Sequence, residues 1–164
     1  MIAHYSKILH ETSLGWAMGG GIPWLWPVFA ILHLIGMAIL VGCVGALDLR
    51  LLGIGKRLPL GPLRGLIPLA LVGFAINLVT GIGFYAGAPD RYHSFAFAAK
   101  MGCIVLAGAN GLLFYGTGLS ARIGGTGPEQ EVPLGAKFSA VASLLLWAGV
   151  MFWGRMLPVF SNGF

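Results

Sequence analysis

Charge is what this sequence has least of. Only 9% of its 164 residues are Asp, Glu, Lys or Arg, while 57% are hydrophobic, and the mean hydropathy is +0.87. Soluble domains carry about a quarter charged residues, so a water-soluble fold is excluded: it would leave far too much apolar surface uncovered. Cysteine is nearly absent. Cys43 and Cys103 both fall inside apolar runs, which argues against a disulfide framework or a thiolate metal site and for a packing role. The ten Lys and Arg residues outnumber five Asp and Glu, yet they are scattered between apolar blocks without a dense cluster. Nucleic acid is therefore not an expected partner, and the basic residues are read as determinants of topology. There is no nucleophile elbow, phosphate loop, zinc signature or paired catalytic carboxylate, and the glycine clusters lack the strand context of a dinucleotide fingerprint.

What is present is a set of long apolar blocks at 24–52, 66–86, 95 to about 119 and 138 to about 159. Each is near or above the roughly 20 residues that span hydrocarbon. The expected fold is all-α, a transmembrane four-helix bundle over 24–159, preceded by a polar or interfacial segment at 1–23 and followed by a tail at 160–164. Pro23 and Pro27 suit the opening of the first helix, where a missing N–H costs nothing, and Trp24 and Trp26 suit the membrane interface. The polar first ten residues and the lack of a small-residue cleavage pattern predict that the first block is retained. A Gly/Pro-rich stretch at 123–133 reads as a flexible loop.

Orientation follows from the connections. The first carries Arg50, Lys56, Arg57 and Arg64 and is the most basic, so it is assigned to the cytoplasm and both termini to the periplasm of a bacterial inner membrane. The second pairs Arg91 with Asp90, and the third sets Arg122 and Lys137 beside Glu129 and Glu131. Glycines at 42 and 45, 81 and 83, and 108 and 111 point to close helix packing, and their faces are candidate surfaces for a homo-oligomer.

Titratable side chains in hydrocarbon cost at least about 2.5–3.5 kcal/mol, so each needs a reason. Those inside or bordering the blocks are His33, Asp48, Arg50, Lys100 and Arg155, accompanied by the polar Asn77, Thr80 and Asn110. At 1.5 Å per residue His33 lies roughly 12–14 Å below Trp24. Lys100 opens the third block and Arg155 nears the end of the fourth, so all three share the outer half, with Arg91 and His93 in the loop above. One reading is a cofactor or anion site, since neutral imidazole ligates metals and Lys or Arg holds carboxylates. The other is structural: an imidazole hydrogen-bonded to a neighbouring helix, with cations snorkelling to the headgroups. Asp48 and Arg50 are two apart on one helix and do not face each other, so each is expected to pair elsewhere and to serve folding, with proton transfer as the alternative. His4, His10 and Glu11 belong to a polar segment that reads as a solvated surface helix with Ile8, Leu14 and Trp16.

The run Leu32-His33-Leu34-Ile35 leading to Asp48-Leu49-Arg50-Leu51-Leu52-Gly53, then Ala99-Lys100-Met101, Ala107-Gly108-Ala109-Asn110 and Gly154-Arg155, resembles a family of small bacterial membrane proteins defined by domain of unknown function 6644. The resemblance covers 24–155. More distantly, a His early in the first helix, an Arg near its far end and a Lys opening a later helix resemble the HemJ-type protoporphyrinogen oxidases and the CopD-type copper-resistance membrane proteins. That resemblance implies heme b, with His33 as the metal ligand, Lys100 as a site residue and Arg50 as a looser match. On the heme reading Lys100 and Arg155 lie near the propionates, and the sixth position is open or filled by Met101 or by His93 from the loop. The chain lacks the dense aromatic and basic pattern of the HemJ type, so heme rather than oxidase activity is what carries over. The expected function is a heme b redox or electron-transfer protein, or a subunit of a membrane redox complex, with quinone or other membrane redox subunits as partners. A non-catalytic accessory or scaffold subunit without cofactor is the alternative.

Overall fold

A computed structural model describes residues 11–55, 57–119 and 132–161. Helices dominate them: α1 (Ser13–Trp16), a π-type turn (Ala17–Gly21), α2 (Leu25–Leu51), α3 (Leu60–Leu63), α4 (Leu66–Gly87), a 3-10 turn (Pro89–Tyr92), α5 (Phe95–Gly116) and α6 (Leu134–Ser161). Four spans are long and apolar enough to cross a membrane, with α3 and α4 together forming the second. The chain is a multi-pass membrane protein built as an all-α four-helix bundle. His4 and His10 lie outside the described residues, as does most of the expected loop at 123–133.

Local signals fix the ends. The Thr12 hydroxyl accepts from Gly15 N at 3.1 Å and caps α1, and the chain leaves the π-type turn through Gly20 at φ +121°, a conformation that favours glycine. Ser94 caps α5 by accepting from Phe97 N at 3.4 Å. After α2, Gly53 and Gly55 adopt positive φ, and Arg50 Nε donates to Leu58 O at 2.7 Å, tying the turn back to the helix. Burial of Arg50 is therefore structural, as expected. The first connection also holds more order than its composition suggested, because Leu60 of α3 is buried in a cluster with Leu51, Val132, Ala136 and Ala140. That same cluster explains why α6 begins at Leu134, ahead of the expected 138: Ala136 and Ala140 face the interior from its first turns.

The bundle consists of two pairs, α2 with α4 and α5 with α6, joined mainly by α2 against α6, while α4 and α5 hardly touch. The closest approach within the first pair is at Gly36 and Gly73. A Cβ on Gly73 would stand 2.7 Å from Gly36 O, and one on Gly36 would stand 2.9 Å from Gly73 O, so backbone meets backbone there. This corrects the expectation from glycine pairs. Of those six, only Gly83 is crowded, by Phe29 at 2.5 Å, whereas Gly42, Gly45, Gly81, Gly108 and Gly111 face open space. Counting glycines cannot tell a helix crossing from a void. Below the crossing, Leu40, Cys43 and Ala70 form a small core with Trp147 packed against it, and Cys43 is the packing residue expected. Large apolar side chains such as Leu34, Leu112 and Leu145 are exposed around the outside, as lipid-facing positions require.

Candidate functional site

Two polar centres lie at opposite ends of the bundle. At the first, His33 on α2 faces α4, where its Nδ1 is 2.7 Å from Thr80 Oγ1. Thr80 Oγ1 also lies 2.7 Å from Ile76 O and 3.2 Å from Asn77 O. A hydroxyl has one proton, and a carbonyl can only accept. The Thr80 proton therefore goes to the α4 backbone and its oxygen accepts from His33 Nδ1–H. This elimination fixes the tautomer and leaves a lone pair on Nε2, which has no hydrogen bond among the described residues. The ring lies edge-on to Phe84 with centroids 5.6 Å apart, and Phe84 in turn meets Trp26 and Phe29.

Lys100 is brought to the same place from α5. Its Nζ lies 3.6 Å from where a Cβ on Gly154 would stand, so the glycine on α6 leaves room for the ammonium, which acts electrostatically on the His33 ring. Arg155 follows Gly154 on α6 and is exposed, as are His93 in the loop and Met101 on α5. Lys100 thus acts on His33, and no contact of Arg155, His93 or Met101 with His33 is found among the described residues. The loop itself is pinned by Arg91, whose guanidinium lies 5.9 Å above the Trp26 ring, and by Tyr92 among Tyr85 and Phe97. Burial pushes the Tyr92 phenol above its ordinary range, with the nearby Arg91 charge working against the shift.

The second centre lies toward the other end, where the two helix pairs diverge. A cavity of about 330 Å³ opens there, walled by α2, α4, α5 and α6 and reaching up only to Leu40, two turns below His33. Its lining is apolar and aromatic, including Phe74, Phe114, Tyr115 and Trp147, but Asp48, Arg64, Asn110, Ser139 and Ser143 also face it. Asn110 and Ser139 satisfy each other: Asn110 Nδ2 donates to Ser139 O and Ser139 Oγ donates to Asn110 Oδ1, both at 3.0 Å. Asp48 is only 6% exposed. Ser143 lies within hydrogen-bonding range of its carboxylate, yet Oδ2 is buried without a partner, and so is Arg64 Nη2. Both charges act on Tyr115, which also lines the cavity.

No group of three or more His, Cys, Asp or Glu able to hold a metal ion occurs among the described residues. Comparison with models of known protein families, with curated proteins and with solved structures yields no match. Sequence reasoning singled out the first centre and missed the second. Arg64 was read only as a topological charge, and Asp48 as a folding residue with proton transfer as the alternative. The signal that was available is the four-residue spacing of Ser139 and Ser143 in an otherwise apolar helix, which puts two hydroxyls on one face opposite the intramembrane Asn110.

Proposed function

We propose that this protein is a membrane electron-transfer protein that holds a b-type heme through His33. The observation that carries the reading is the fixed tautomer: Nδ1–H is committed to Thr80, so Nε2 presents a lone pair, the arrangement found for metal-bound imidazole held by an outer hydrogen bond. His33 would hold the group through this donor nitrogen. Lys100 beside His33, with Arg155 on α6, supplies the cations that would hold propionates, and Phe29, Phe84 and Trp26 supply an apolar wall. When bound, the group supplies one-electron chemistry within the bilayer. The protein's own contribution is orientation of the imidazole, a cation at its side and exclusion of water by the aromatic cluster.

The orientation that belongs to this reading has both termini in the periplasm of a bacterial inner membrane and the 50–64 connection in the cytoplasm, because Arg50, Lys56, Arg57 and Arg64 concentrate there. His33 and Lys100 then lie in the outer half. Alkaline phosphatase fusions after Arg57 should be inactive and those after Phe164 active; the reverse pattern inverts the topology.

The test of heme is the absorption spectrum of protein purified in detergent from heme-replete cells. Wild type is expected to show a Soret band and His33→Ala to lose it. A wild type without the band, or an alanine variant with undiminished heme, removes the reading. What then stands in front is an accessory or scaffold subunit, favoured by the Asn110–Ser139 pair, whose two hydrogen bonds hold α5 to α6 and satisfy each other.

A further inference from the structure

The cavity at the Asp48 end asks for an occupant of definite chemistry. Asp48 and Arg64 both line it, and each carries one buried polar atom without a partner: Asp48 Oδ2, an acceptor when ionised, and Arg64 Nη2, a donor. Leaving such groups buried and unpaired is costly. Neither a lipid acyl chain nor a simple apolar molecule satisfies them. The occupant needs a head that both donates and accepts, and an apolar body to match the remaining walls. Four aromatic side chains, Phe74, Phe114, Tyr115 and Trp147, surround the space and favour a flat ring in that head. A volume of about 330 Å³ is at the small end of ligand pockets, so it takes a head and the start of a chain. Leu71 and Phe74 of α4 and Gly108 of α5 line the cavity while being exposed, and α4 and α5 hardly touch. The rest of a long chain has a way out into lipid between them.

We propose that this cavity binds an isoprenoid quinol, with one ring hydroxyl donating to the Asp48 carboxylate and a ring oxygen accepting from the Arg64 guanidinium. The inference deepens the redox reading by naming its lipid-soluble partner, while the binding itself does not require heme. It carries a preference. The oxidised quinone offers carbonyl oxygens alone, which satisfy Arg64 but leave the Asp48 carboxylate facing another acceptor. The quinol is therefore favoured, by about tenfold if one charge-assisted hydrogen bond separates the two.

The experiment measures binding of a decyl-chain benzoquinol and its quinone, under anaerobic conditions, to the full chain in lipid nanodiscs. Protein from heme-deficient and heme-replete cells is compared. The expected result is saturable binding in both preparations, tighter for the quinol by about tenfold and not displaced by decanol. Asp48→Leu is expected to erase the preference. Because that change also alters a buried polar position, Gly111→Leu provides a second arm: a Cβ on Gly111 meets nothing within 4 Å, so the larger side chain fills the cavity without a clash and should abolish binding while the melting temperature holds. Absence of saturable binding, equal displacement by decanol, or unaltered quinol affinity in Gly111→Leu would overturn the proposal. Binding by a protein that never shows a Soret band would sink the heme reading and leave this one standing.

Discussion

His33 and Asp48, toward the two ends of the bundle, are partnered in opposite ways. At the first, the imidazole N–H donates to the Thr80 hydroxyl, which donates in turn to the α4 backbone, although Asn77 Oδ1 one turn away is buried without a partner. At the Asp48 end, a carboxylate oxygen and a guanidinium nitrogen are buried around a void with no partner. The first arrangement fixes one atom, Nε2, in a defined state; the second leaves a gap in the accounting that a ligand can close. Polarity inside a membrane has two uses here, orientation and reception, and only the satisfaction of each atom tells them apart.

Breaking the frame common to both ends should have the largest effect. Gly73→Leu puts a side chain where Gly36 O and Leu40 N stand at 2.7 and 2.8 Å, so α2 and α4 are forced apart. The expected outcome is loss of folded, detergent-stable protein in size-exclusion chromatography, and with it loss of both centres. Thr80→Val acts on one end alone: it removes the acceptor for His33 Nδ1–H at nearly constant volume. Loss of such an outer hydrogen bond costs about 10–100-fold in metal affinity, read as reduced heme retention during dialysis, with melting changed little. Asn110→Ala sharpens the contrast from the other side, since it strips a satisfied pair beside the cavity and should lower stability by about 1–2 kcal/mol, at the upper range for membrane hydrogen bonds, in a chemical-unfolding titration. The smallest effect belongs to Arg91→Ala. Removing the cation above Trp26 costs about 0.5–1 kcal/mol and should show as faster proteolysis of the 88–94 loop, leaving both centres intact.

Hydropathy made the four spans legible because length and apolarity are all that hydrocarbon demands of a helix. Depth was legible too. Counting 1.5 Å per residue put His33 and Lys100 at one level, and in the structure the ammonium lies where the ring feels it. What could not be read was facing. Gly36 and Gly73 make the helix crossing while Gly108 and Gly111 border a cavity, yet in sequence all four are glycines in apolar runs. The Asp48 end was missed for a related reason. Its polar groups come from α2, α5, α6 and the turn before α4, and the one local pattern among them, Ser139 and Ser143, marks a face of α6 without saying which side chains of the other spans meet it. Arg64 illustrates the ambiguity: a basic residue near a span end serves topology by count and a cavity by position.

The arrangement in two pairs also bears on how the chain is assembled. Each pair is a hairpin of consecutive spans with its own dense contact, and the seam between hairpins runs mainly along α2 and α6, the first and last spans. The intermediate α4 and α5 are adjacent in sequence but not held together. Biogenesis therefore has a natural pause: the first hairpin can be completed in the bilayer before the second is made, and the bundle closes only when the final span arrives. The cavity walled by all four spans comes into being only at that closing step.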